Sequence, residues 1–282
     1  RDGGSHEQDA QARFREDRMN TGAGPLVVVT GGASGIGEAC CATLARQGWR
    51  VIVADVSENA GRAVAERVSG AFVHMDVGDA AAVEAAAERI EADFGPVAGL
   101  VASAGVIQPP LPPEELSMEL WDRVVHIDQR GAYVSCLAFG RRMAARGAGG
   151  AIVAIASVAG SRSLPLHSYA PAKAAVISMT ACLSAAWGRD GVRVNSVSPG
   201  YTLTPALQAE IEAGRRDTSR LVANAALQRM VKPSEVAEAA AFLLSPAASA
   251  ISGIDLPVDC GWLAGSNWNT YGGLPSPQQR SA

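Results

Sequence analysis

Lysine is nearly missing from this chain: of its 24 basic residues, 22 are arginine and only Lys173 and Lys232 are lysine. The net charge is −4 and no basic block occurs, so the electrostatic footprint of a nucleic-acid binder is lacking. No apolar run reaches the roughly 18 residues of a membrane-spanning helix. The five cysteines (Cys40, Cys41, Cys136, Cys182 and Cys260) show neither a CxxC pair nor Cys/His ligand spacing. No metal site is expected from them. They read as reduced, mostly buried thiols of a cytoplasmic protein. Internal repeats are missing too.

One of the two lysines sits where chemistry can use it. It closes the run Tyr169-Ala170-Pro171-Ala172-Lys173, and Ser157 lies twelve residues before the tyrosine. On a helix, positions i and i+4 emerge from one face. A phenol alone, with a reference pKa of about 10, is a poor acid or base near neutrality. An ammonium roughly 4 Å away, at an effective dielectric near 20, favours the phenolate by about 4 kcal/mol. That brings a tyrosine into the range of general acid–base catalysis. A chance pairing is the competing reading, and the next feature weighs against it.

Residues 26–30 form a short apolar, β-branched run that reads as a buried strand. The run passes into Gly31-Gly32-Ala33-Ser34-Gly35-Ile36-Gly37 and then into a helical pattern over 38–47. Glycines at 31, 35 and 37 allow a tight turn and close approach of a phosphate to backbone N–H groups at a helix start. The next apolar strand, 51–54, ends in Asp55, eighteen residues after Gly37. That is the place for an acid that accepts hydrogen bonds from an adenosine ribose. A surface acid at a strand end is the plainer alternative.

The remaining pattern alternates without a break. Strands are expected at 71–75, 98–102, 151–156, 192–197 and 253–258. Helices are expected at 79–94, within 113–146, and at 167–188 and 234–244, with a polar segment from 198 to 233. Such alternation implies a single α/β Rossmann domain, with a parallel sheet of about seven strands and helices on both faces. The domain is placed at 25–262. Residues 1–24, charge-rich and without apolar periodicity, read as a disordered arm or added extension, and 263–282 as a tail.

Taken together, Thr30-Gly31 with Gly35-Ile36-Gly37, Ser157, Tyr169 with Lys173, and Ser198-Pro199-Gly200 resemble the short-chain dehydrogenase/reductase family, over residues 26–262. The resemblance implies an oxidoreductase that moves a hydride between NAD(H) and a secondary alcohol or ketone, such as a polyol or sugar alcohol. It places a dinucleotide against Gly31, Ser34, Gly35, Ile36 and Gly37, with Asp55 at the adenosine ribose and Asp76-Val77 beside the adenine. It runs the backbone of Ser103, Ala104 and Gly105 along the cofactor and sets Pro199, Gly200 and Thr202 near the carboxamide. Tyr169 becomes the base, Lys173 its partner and a ligand of the nicotinamide ribose, and Ser157 a hydrogen-bonding group at the substrate oxygen. Gln108, Leu164, His167 and Tyr201 would line the substrate pocket. A carboxylate at 55, with no basic residue at Ser34 or Val56, favours NAD over NADP.

Three departures from the family pattern stand out. Asp128 occupies the position of the usual Asn, a member of the catalytic set that holds a water linking Lys173 to solvent. Ala102-Ser103-Ala104-Gly105 replaces an Asn-rich run, and Asp259-Cys260-Gly261 replaces Asp-Gly-Gly. From 168 to 188 the only charged residue is Lys173. A helix so apolar calls for a second subunit as cover, and the resemblance suggests a homotetramer. Two other readings stay open: an NADPH-linked reductase of 3-oxoacyl groups, and a non-catalytic nucleotide-binding scaffold.

Overall fold

The computed structural model describes residues 24–215 and 217–274. The expected arm falls almost wholly outside these residues, as does the end of the expected tail. The first strand, β1 (Leu26–Thr30), is buried along its whole length, as a central strand of a sheet covered on both faces must be. Six further strands run parallel to it: β2 (Arg50–Asp55), β3 (Ala71–His74), β4 (Val97–Ala102), β5 (Gly150–Ile155), β6 (Val192–Pro199) and β7 (Asp255–Val258). Their order is β3-β2-β1-β4-β5-β6-β7. The sheet therefore grows one way from β1 as far as β3 and the other way from β4 onward. The reversal opens a crevice at the carboxyl ends of β1 and β4, the place where open α/β sheets bind ligands.

Helices cover both faces. On one side α1 (Gly35–Arg46), α2 (Glu58–Arg67) and the later helix Pro233–Leu244 enclose a core containing Val27, Val29, Leu44, Val53, Val153 and Ala240. On the other, α3 (Ala80–Phe94) and two long helices, 132–146 and 169–187, bury Val28, Ile90, Leu100, Phe139, Ile152 and Val176. Period-two alternation within the strands explains the split: odd-numbered valines of β1 face one core and Val28 the other. The start of α3 is set by Asp79, whose carboxylate accepts the N–H groups of Ala81 and Ala82.

The expected helical stretch 113–146 divides into several pieces. A 3₁₀ turn (Pro113–Glu115) precedes α4 (Met118–Val124), then a π-helical stretch (Val125–Gly131), then α5 (Ala132–Arg146). Helix α6 (Tyr169–Trp187) follows β5. The segment expected to be merely polar carries α7 (Pro205–Glu212) and α8 (Thr218–Val222), before α9 (Pro233–Leu244) and the short α10 (Trp262–Gly265). Arg193 of β6 fastens α9 by donating to the carbonyls of Leu243, Leu244 and Ser245 at the helix C-terminus. Among the described residues, no helix is long and apolar enough to cross a membrane.

Candidate active site

The crevice begins as a backbone structure. Gly31 has φ +65, and a Cβ there would lie 2.7 Å from Cα of Ala104. At Gly37 a Cβ would lie 2.1 Å from the carbonyl oxygen of Gly31. The loop and helix start can close up only because both are glycine. Ser34, the residue before α1, is extended and makes no side-chain cap, so its hydroxyl does not take up the first-turn N–H groups. The Asp55 carboxylate stands at the end of β2 and accepts the N–H groups of Ala33 at 3.0 Å and Ser57 at 2.9 Å. These bonds fix its orientation in the wall of a cleft of about 650 Å³. The same wall holds Gly31, Ser34, Gly35, Ile36, Gly37, Asp76, Val77 and the stretch 103–105.

Thr30 has a role that sequence reasoning missed. Its hydroxyl oxygen accepts the N–H groups of Ser103 at 3.1 Å and Ala104 at 3.2 Å. The stretch lacking the family's amides is thereby bound to β1 through its backbone. The signal lay in Thr30 itself, a buried hydroxyl at the end of an otherwise apolar strand.

A second cleft of about 790 Å³ continues the first, sharing Ile36, Ser103, Gly105 and Val106 with it. Ser157, Tyr169 and Lys173 all line it. Ser157 lies two residues beyond the end of β5, and its oxygen also accepts the N–H of Ala159 at 3.1 Å. Tyr169 opens α6 and Lys173 lies one turn on, with Nζ 5.4 Å from the Tyr169 ring centroid. Nζ donates to the carbonyl oxygen of Ile155 at 3.0 Å. One bond therefore ties the tyrosine-bearing helix to the strand end that presents Ser157.

Asp128 stands against this lysine. It is fully buried in the π-helical stretch, and Oδ2 lies 3.1 Å from Lys173 Nζ. Its other oxygen, Oδ1, accepts the N–H of Val106 at 2.8 Å. Oδ2 has no well-directed hydrogen bond, so the attraction to Lys173 is chiefly Coulombic. Burial pushes the Asp128 carboxyl above the usual carboxylate range, with Lys173 and the Val106 N–H opposing it. For Lys173, burial pulls the pKa down. The charges of Tyr169 and Asp128 together outweigh that pull, and the ammonium is held above its ordinary value. A side chain at Gly105 would meet Asp128 Oδ2 at 2.9 Å, so the cofactor-side loop can lie on the ion pair only as glycine.

The substrate end gathers Gln108, Leu164, Pro199, Gly200, Tyr201 and Thr202 into the same wall. Tyr201 packs edge-on against Trp262, with centroids 5.8 Å apart. Gln108 lines the cleft, but its side-chain oxygen is engaged at the start of α6. His167 is half-buried and does not contribute to the wall. Residues of α7 and α8 that no motif marked, among them Leu207, Glu210 and Leu221, close the outer side. Among the described residues no group of His, Cys, Asp and Glu could hold a metal ion.

Comparison with known proteins gives the family and the fold. The sequence model of the family described as enoyl-(acyl carrier protein) reductase matches residues 31–263. D-threitol dehydrogenase of Mycolicibacterium smegmatis is 39% identical over 85% of this chain and 93% of its own length. Cis-4-hydroxycyclohexanecarboxylate dehydrogenase of Sinomonas cyclohexanicum is 41% identical over 85% of this chain and 96% of its own. A crystal structure named as ribose-5-phosphate isomerase of Brucella melitensis 16M superposes with a TM-score of 0.87 at 50% identity. It covers 90% of this chain and 98% of that one.

Proposed function

The chain belongs to the short-chain dehydrogenase/reductase family, and from that premise we infer the division of labour in its active site. The protein is an oxidoreductase of alcohol and ketone groups. Our reading is that Tyr169 takes the proton of the substrate hydroxyl, Ser157 hydrogen-bonds the substrate oxygen, and Lys173 holds positive charge beside the phenol. A nicotinamide dinucleotide, when bound, supplies the hydride acceptor. The chain's residues fit it: a Cβ at Gly31 or Gly37 would strike neighbouring backbone, so only glycine lets loop and helix start close up, and Gly31, Ser34, Gly35 and Gly37 line the cleft where a pyrophosphate would lie. Asp55, Asp76-Val77, Ser103–Gly105, Pro199, Gly200 and Thr202 would border it from ribose to carboxamide.

NAD is favoured over NADP. The Asp55 carboxylate faces the cleft, and its exposed neighbour Val56 offers a 2′-phosphate no charge. Asp128 would act behind Lys173, as the charge that keeps the lysine an ammonium. For the substrate we favour a secondary alcohol of the polyol type, by analogy with the threitol-oxidising relative. A homotetramer would cover the half of α6 that the single chain leaves partly open, since only Ala172, Lys173, Val176, Thr180 and Leu183 are buried there. The thiols of Cys40 and Cys136, pushed up to about 12 by burial, remain protonated and suit a cytoplasmic setting.

One observation carries the reading: the bond from Lys173 Nζ to Ile155, which sets Tyr169 and Ser157 on one wall. The test follows NADH formation from NAD+ across polyols and cyclic secondary alcohols. Tyr169→Phe should abolish turnover while NADH affinity stays within a few-fold, and Lys173→Ala should lower both. Comparable turnover in Tyr169→Phe would sink the assignment. Net NADH formation also separates this reading from an isomerase, which would return the cofactor unchanged.

A further inference from the structure

Helix α6 carries the tyrosine at its first residue, where helices fray most readily. Ser168 precedes it and is fully buried, yet its side chain makes no cap to the helix. The cap comes from elsewhere. Gln108, on the loop after β4, sends its Oε1 to that position and accepts the Ser168 N–H at 2.7 Å and the Tyr169 N–H at 3.3 Å. The Ser168 hydroxyl donates to the same oxygen. Three donors meeting on one atom identify it as the carbonyl rather than the NH₂ end of the amide. The amide nitrogen turns back to its own loop, toward the carbonyl of Pro109 at 3.4 Å.

The same loop is fixed at two earlier points: Thr30 holds Ser103 and Ala104, and Asp128 holds Val106. Asp128 in turn pairs with Lys173. The loop thus reaches both ends of the Tyr169–Lys173 pair, the lysine through Asp128 and the tyrosine through Gln108. Its glycine at 105 also borders the dinucleotide cleft.

We propose that Gln108 is a positioning residue: as a cap supplied from another element, it fixes the first turn of α6 and so sets the place of the Tyr169 phenol relative to the loop bordering the cofactor. This goes beyond pocket lining. The amide oxygen is engaged by the helix, and a displacement of about 1 Å at a reacting group can cost roughly a hundredfold in rate. The proposal rests on Tyr169 being the base, so its test includes that reading as a separate arm.

Gln108→Leu removes the acceptor at nearly constant volume. Gln108→Glu keeps an acceptor oxygen and adds a charge that a helix N-terminus favours. Ser168→Ala removes one donor of three. The measurements are kcat, KM for the best alcohol found, NADH dissociation constant, thermal melting, and amide hydrogen exchange over residues 166–172. In Gln108→Leu, kcat should fall at least roughly tenfold, with KM and NADH affinity within a few-fold. Exchange at the start of α6 should quicken. Gln108→Glu should restore most of kcat and the protection, and Ser168→Ala should fall between. Unchanged kcat in Gln108→Leu, a change confined to KM, or equal losses in the Leu and Glu variants would overturn the proposal. Should Gln108→Leu not fold, unaltered kcat and exchange in Ser168→Ala, with kcat lost in Gln108→Glu, would overturn it as well. Turnover in Tyr169→Phe defeats the underlying reading, whereas an inactive Tyr169→Phe beside a normal Gln108→Leu defeats only this proposal.

Discussion

The two halves of the cleft are built by different means. The nucleotide half is largely backbone: glycines at 31, 35 and 37, an uncapped helix start, and two N–H groups held by the Thr30 hydroxyl. The reacting half is largely side chain: a phenol, an ammonium, a buried carboxylate and an amide, drawn from three separate segments and cross-braced. A backbone site reads shape and is defeated by a single added carbon. A side-chain site reads charge, and its errors are graded by distance.

The largest effect should come from breaking the backbone half. A Cβ at Gly37 would lie 2.1 Å from the Gly31 oxygen and 2.8 Å from its carbonyl carbon. Both are backbone atoms, so neither can swing aside. Gly37→Ala is expected to weaken NADH binding by at least roughly a hundredfold, about 2.7 kcal/mol, or to prevent folding. Fluorescence titration with NADH, alongside a melting curve, decides it. Tight binding in a folded Gly37→Ala protein would show the close approach to be unnecessary.

This contrast also explains what the sequence made legible. The order of strands and helices followed from period and punctuation, so all seven strands align with their expected ranges to within about two residues at either end and the parallel sheet was foreseen. The nucleotide half was visible because loop, helix and acid lie within one stretch from 30 to 55, where spacing carries geometry. Helix α2 was not foreseen. Its ten residues 58–67 include Gly61, which breaks the helical pattern, but the gap admits the Phe72 ring, 2.2 Å from where a Cβ would sit. Helices α7 and α8 were missed because they are short and polar; their caps, Thr204 and Asp217, were the available signal. The π-helical register around Asp128 has no signature in a 3.6-residue period. Gln108 joined the pocket by resemblance, while its cap on α6 spans sixty residues of sequence and shows only in three dimensions.

An intermediate effect is expected at the seam between shape and charge. Asp55 is one side chain in the backbone half, lining the cleft, and on the proposed reading its carboxylate would repel a 2′-phosphate. NAD+ should exceed NADP+ in kcat/KM by at least roughly tenfold, about 1.4 kcal/mol. Asp55→Ser should shrink that ratio. It should also loosen the loop, because Ala33 and Ser57 lose their shared acceptor. Some loss of NAD+ affinity should therefore accompany the change in preference. If the unaltered protein prefers NADP+, Asp55 does not govern the choice.

The effect most graded by distance belongs to the charge pair in the reacting half, and its sign follows from the geometry. Burial holds the Asp128 carboxyl above the usual carboxylate range. Above that raised pKa it is ionised; as pH falls through it, the group becomes neutral. When ionised, it stabilises the Lys173 ammonium at 3.1 Å but offsets part of the positive field that the ammonium casts on the Tyr169 phenol. Asp128→Asn removes the offset. The acidic limb of alcohol oxidation should accordingly lie at higher pH in the unaltered protein than in Asp128→Asn. At roughly 6 Å and an effective dielectric near 20, the opposing interaction is below about 3 kcal/mol, which limits the displacement to about two pH units. Stability moves with the same group. Because its folded pKa is raised, the neutral carboxyl favours the fold at low pH, and that contribution is lost as pH rises through the folded value. Asparagine, always neutral, should flatten that part of the melting profile. The measurement is kcat/KM against pH for both proteins, since that profile reports the free enzyme. Coincident limbs would mean that Asp128 acts through its bond to Val106 rather than through its charge.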